Sequence, residues 1–156
     1  MGDYASAEEL QRRALAIHRR VHGDEHPDVA KSQDLLAVIL HTQGEWDAAE
    51  RLYRQALQMR RKLLGNESRE VGESLDHLGT MMYARGNHGE AEALFREALE
   101  GRRRALGELH PDVAMSANNL AITLSTLERF DEAEPLYRES LDINRKLFGE
   151  AHPAVA

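Results

Sequence analysis

Four glycines, Gly23, Gly65, Gly107 and Gly149, stand at a constant spacing of 42 residues. A fixed period of this length marks a chain built from stacked supersecondary units, none of which can bury its apolar face alone. Laid in that register, nearly everything else aligns. The segments after the glycines read DEHPDVAKS, NESREVGES, ELHPDVAMS and EAHPAVA. Mid-repeat come Leu36-Ala37, Leu78-Gly79 and Leu120-Ala121, then Gly44 and Gly86, with Glu128 in the third copy. Trp46, His88 and Phe130 follow, with Tyr4 in the same phase. Next come Ala49-Glu50, Ala91-Glu92 and Ala133-Glu134, and then Leu52-Tyr53-Arg54, Leu94-Phe95-Arg96 and Leu136-Tyr137-Arg138.

Each copy contains two helical stretches. The first opens at His-Pro, where proline suits the first helical position because its missing N–H has no intrahelical partner. In the second copy Ser68 takes the place of His, and serine is a strong N-cap. Asp28, Glu70 and Asp112 follow, where the helix dipole favours acids. The second stretch begins near the aromatic position, carries Glu50, Glu92 and Glu134 early, and ends in Arg60-Arg61-Lys62, Arg102-Arg103-Arg104 and Arg145-Lys146. Those bases are expected outside, complementing the dipole and aiding solubility. The spacing predicts a lone second helix over about 5–22, hairpins over about 27–64, 69–106 and 111–148, and the start of a further repeat at 153–156. Both ends lack a polar capping helix, so a single array cut from a longer one is expected.

Ala37, Gly79 and Ala121 are expected to face Ala49, Ala91 and Ala133 across each hairpin, with Tyr53, Phe95 and Tyr137 filling the space beside them. This order of small and aromatic residues resembles the tetratricopeptide repeat. The longer period, with G-x-x-H-P-D-V-A, the Asn118-Asn119-Leu120-Ala121 run and A-E-x-L-Y-R, is similar to the kinesin-light-chain class. The resemblance implies an all-α, right-handed α-solenoid whose first helices line a concave groove.

Composition narrows the function. The net charge is -7, against the basic surplus that phosphate neutralisation demands, so no nucleic-acid partner is expected. Without cysteine there is neither a disulfide framework nor a thiolate metal site. No apolar run approaches the roughly 18 residues of a membrane span, so no membrane partner is expected and a cytoplasmic location is the default.

Histidine is where chemistry would hide. His26 and His110 lie two repeats apart and His110 and His152 one, so at least roughly 10 Å separates any two in a helical stack, too far for one metal. They read as caps. His110, Asp112 and Ser116 make a hydrolase-like trio, but repeat copies hold these positions for structural reasons. His18 and His22 share a helix face at i,i+4 with His26 just beyond. The phase of His22 (Leu64, Leu106, Phe148) reads as inward and that of His18 (Arg60, Arg102, Asn144) as outward. No metal, no cofactor and no catalysis are expected.

The resemblance places the groove at fixed phases: Lys31, Asp34, Leu35, Val38 and His41 in the first hairpin; Glu73, Asp76, His77, Thr80 and Tyr83 in the second; and Met115, Asn118, Asn119, Ile122 and Ser125 in the third. These vary between copies while the framework stays constant, as expected of a recognition surface. The Asn118-Asn119 pair matches the family's pair for holding an extended peptide backbone, although Asp34-Leu35 and Asp76-His77 replace it in the first two hairpins. The Lys and Asn set of a chaperone-tail carboxylate clamp is absent. A protein-interaction scaffold holding an extended peptide or partner domain is therefore expected. With Asp34, Glu73 and Asp76 against Lys31, the partner is expected to carry basic residues, with an apolar one near Met115. Two alternatives share this fold: end-to-end self-association through the uncapped ends, and a regulatory array in a larger bacterial signalling enzyme.

Overall fold

The computed structural model describes residues 4–149, so the expected start of a repeat at 153–156 and His152 lie outside the described residues. Among the described residues seven helices follow one another: α1 (Tyr4–His22), α2 (Pro27–Gln43), α3 (Trp46–Leu64), α4 (Arg69–Ala84), α5 (His88–Leu106), α6 (Pro111–Thr126) and α7 (Phe130–Phe148). Among the described residues there is no strand, and no helix is long and apolar enough to cross a membrane.

Caps set the boundaries. His26 Nδ1 accepts the Asp28 N–H at 3.2 Å and His110 Nδ1 accepts that of Asp112 at 3.1 Å. At α4, Ser68 Oγ accepts the Val71 N–H at 3.2 Å. Each satisfies one of the amides that the first helical turn leaves without a partner. The turn inside each hairpin needs a left-handed residue, and Gly44 and Gly86 supply it at φ 87° and 81°. In the third hairpin Glu128 is forced into that region at φ 60°.

Packing is closest within the pairs α2–α3, α4–α5 and α6–α7, then between each pair and the next, with α1 against α2. The first helices α2 and α4 also touch directly. Small residues permit the close approach. Ala37, Ala49, Ala91, Ala121 and Ala133 are all buried. A Cβ on Gly79 would come within 2.8 Å of the Phe95 ring, so ring and glycine interlock. Tyr53 and Phe95 are buried as expected, because a further hairpin covers them. Tyr137 is 38% exposed, since among the described residues no helix follows α7. Apolar side chains are open at the other end too: Leu10, Ile17 and Val21 of α1.

Ala91→Leu is expected to lower stability by about 1–3 kcal/mol through overpacking. Ala93→Leu, the same change at an exposed position of the same helix, should stay within about 0.5 kcal/mol. Chemical denaturation of both variants checks the register, and equal stabilities would refute it.

Candidate functional site

The first helices meet side by side. His77 of α4 reaches back 43 residues to Asp34 of α2, donating from Nδ1 to Oδ2 at 2.9 Å, and the Tyr83 hydroxyl bonds Thr126 of α6 at 2.8 Å. The second helices are joined on their own side by pairs about one repeat apart, such as Arg54–Glu90 at 2.6 Å and Arg103–Glu139 at 2.6 Å. These exposed pairs contribute little singly, each about 0–1 kcal/mol. Their effect is to tie the outer surfaces of successive second helices together through charge.

On the first-helix face the expected positions divide. Lys31, Leu35, Thr80, Met115 and Ile122 are exposed, the last two at 46% and 39%. Val38, Glu73, Tyr83, Asn118 and Asn119 are half-buried. Ser125, also half-buried, donates to the Tyr137 hydroxyl at 3.4 Å. His41 stands edge-on to Trp46 with ring centroids 4.8 Å apart, and burial pushes its pKa down. Glu73 is paired with Arg69 at 3.3 Å.

Asp34 and Asp76 do not belong with them. They are only 3% and 7% exposed. Asp34 Oδ2 sits 3.5 Å from Arg60 as well as on His77, and Asp76 is paired with Arg102. The expectation of a negative wall built on these two carboxylates is thus corrected. Their field is cancelled at the source by buried guanidinium groups, because a buried charge is tolerated only when paired. Glu73 is matched as well, so Lys31 is the one member of the set whose full charge has no opposite partner among the described residues.

The arginines correct a second expectation. Arg60 and Arg102 read as outward and are instead buried. Arg60 Nη1 donates to Ser74 Oγ at 2.6 Å and to the Glu70 carbonyl at 3.0 Å. Arg102 repeats this on Ser116 and the Asp112 carbonyl. At the first junction His18 stands in the same phase and hydrogen-bonds Ser32 Oγ at 2.7 Å. In the opposite sense, His22, Leu64 and Phe148, read as inward, are exposed, and Leu106 is half-buried. The helix face is therefore rotated from the expected one near its C-terminus. Ser116 and His110 of the hydrolase-like trio are also accounted for, one accepting from Arg102 and the other capping α6.

The sequence signal for these buried links lay in the copies themselves. Where Asp34 and Asp76 give way to Asn118, Arg60 and Arg102 give way to Asn144, so acid and base vanish together.

With this geometry in place the comparisons with known proteins are decisive. The sequence matches the tetratricopeptide repeat over residues 1–62 and 66–156. The chain belongs to the tetratricopeptide repeat family. Among solved structures, this tetratricopeptide repeat chain is similar to BtubC (BKLC) from P. vanneervenii, with a TM-score of 0.86 and 28% identity over 97% of this chain. The chain spans 60% of that protein. It is also similar to the nearly identical TPR-like repeats of the kinesin light chain kind from Podosopora anserina, with a TM-score of 0.84, 26% identity, and coverage of 99% of this chain and 73% of that one. Comparison with curated protein sequences gives no match.

His77 gives the face a titratable group. Its hydrogen bond to Asp34 raises its pKa from the usual 6.5, while partial burial and Arg60 pull the other way. A folded value above the unfolded one means that its stabilising contribution is complete below about pH 6.5 and is lost as pH rises through the higher folded value. The stability advantage of the native chain over His77→Asn should therefore shrink as pH rises above about 6.5 in urea titrations. A difference that holds constant with pH would contradict the pairing.

Proposed function

We propose that this tetratricopeptide repeat array is a non-catalytic scaffold that binds an extended peptide, or an extended segment of a partner protein, along the face formed by α2, α4 and α6. One observation supports this reading above the others. Exposed or half-exposed side chains at equal repeat phases differ in every copy, as Lys31/Glu73/Met115, Leu35/His77/Asn119 and Val38/Thr80/Ile122 do, on a framework that repeats. A conserved-phase scaffold with variable accessible chemistry on one face distinguishes positions along a ligand.

The electrostatics change the ligand that fits. With Asp34 and Asp76 paired internally, a basic segment gains no carboxylate from them. Affinity then rests on apolar contacts at Leu35, Val38, Met115 and Ile122, and on backbone hydrogen bonds from the half-buried Asn118 and Asn119. Such a site discriminates by shape and amide pairing more than by charge, and its binding responds weakly to salt.

Association through the ends is the second reading, favoured by the exposed Leu10, Ile17 and Val21 of α1. One experiment separates the two. Partners are captured from source lysate with the native chain and with Met115→Glu/Ile122→Glu, and affinity for the captured partner is then measured at several salt concentrations. The groove reading expects the double variant to lose capture, and Asn119→Ala to weaken binding by about 0.5–1.5 kcal/mol with no change in salt slope. Capture that survives Met115→Glu/Ile122→Glu would place the contact elsewhere and overturn the groove.

A further inference from the structure

The junction between α1 and α2 departs from the repeat in one respect. The phase that holds Leu64 and Leu106 at the later junctions holds His22 here. Because that phase faces solvent, its imidazole lies over the start of α2 rather than in the core. There it meets two more donors. His22 Nε2 is 3.7 Å from Asp28 Oδ2, and His26 Nδ1 is 3.5 Å from the same oxygen. One ligand atom from each of the three residues fits within a 4.8 Å span.

We infer that His22, His26 and Asp28 form a binding site for a divalent transition metal, of which Zn²⁺ is the type. A tetrahedral ion with ligand bonds near 2.0–2.2 Å needs donors separated by about 3.3–3.5 Å. The spacings on Asp28 are already close to that. Two imidazoles and one carboxylate suit a borderline ion, and three protein ligands leave a fourth position for water. The negative end of α1 adds a favourable field.

Two adjustments accompany binding. The His22 and His26 rings are stacked at 4.1 Å and nearly parallel, at 11°, so their in-plane lone pairs diverge. One ring must turn, and the exposed His22 is free to do so. His26 Nδ1 also accepts the capping N–H of Asp28, so coordination through that atom exchanges the cap for the metal, whereas Nε2 preserves it. The third junction is a built-in control. It keeps His110 and Asp112 in the same relation, at 3.9 Å, but has Leu106 in place of the first histidine.

The test is calorimetric titration of ZnCl₂ into the untagged full chain near neutral pH, with circular dichroism to establish that each variant is folded. His22→Leu installs the residue of the other junctions, and His26→Ser installs the cap that α4 uses, so neither removes a structural element. The expected result is one equivalent bound by the native chain, with each substitution weakening affinity by more than about tenfold and His110→Ser leaving it unchanged. No saturable binding by the native chain would overturn the proposal. So would affinity retained in folded His22→Leu, or an equal loss in His110→Ser.

Discussion

Arg60 and Arg102 leave the second helix of one hairpin and end on the first helix of the next, and the stack depends on that crossing. Each guanidinium holds a carboxylate of its own hairpin, at Asp34 or Asp76, and a serine and a carbonyl of the following one. Three partners at fixed angles define both the distance and the rotation between units, which apolar contact alone leaves loose. All three contacts converge on one guanidinium nitrogen, Nη1, which the rigid planar group aims in a fixed direction where a flexible lysine ammonium would not. Desolvation offsets much of the Coulomb attraction, so the arginine contributes orientation more than net stability. Burial pushes the Asp76 carboxyl above the usual carboxylate range even as Arg102 draws it down.

This arrangement determines what the first-helix face can offer a partner. Carboxylates that would otherwise form an acidic wall are consumed in holding the repeats together, and His77 is tethered to one of them. What remains accessible includes Lys31, Thr80, a set of apolar side chains, and the half-buried amides of the third hairpin. That hairpin, with Asn118 and Asn144 in the acid and base phases, carries uncharged chemistry at the position where its neighbours carry a buried ion pair. On the proposed groove reading, structure and recognition draw on the same repeat phases, and one copy has exchanged one use for the other.

The repeat, its hairpins and its caps were legible in the sequence because each follows from local chemistry: His-Pro and Ser68 at helix starts, Gly44 and Gly86 at left-handed turns, alanines where helices touch. The buried arginines were not, because a base in the last turn of a helix has a sufficient local explanation in the dipole. Only the joint loss of acid and base in the third copy pointed beyond it. Tyr137 was expected to be buried like Tyr53 and Phe95, yet its cover would have to come from a following unit. The rotation that buries Arg60 also exposes His22, which brought it to His26 and Asp28 and turned an inward position into a surface cluster. In each case a long-range neighbour decided the environment, and a pattern read along one helix does not contain it.

The central claim is that the carboxylates at 34 and 76 serve the stack rather than a ligand. A double-mutant cycle on Asp76 and Arg102, followed by urea denaturation, tests it most directly. Asp76→Asn and Arg102→Met should each cost about 3–5 kcal/mol, because each leaves a buried polar partner unmatched. The double variant should fall short of their sum by about 1–3 kcal/mol, the coupling expected of residues in one buried network. Costs that add to within about 0.5 kcal/mol would show two independent side chains and contradict the account.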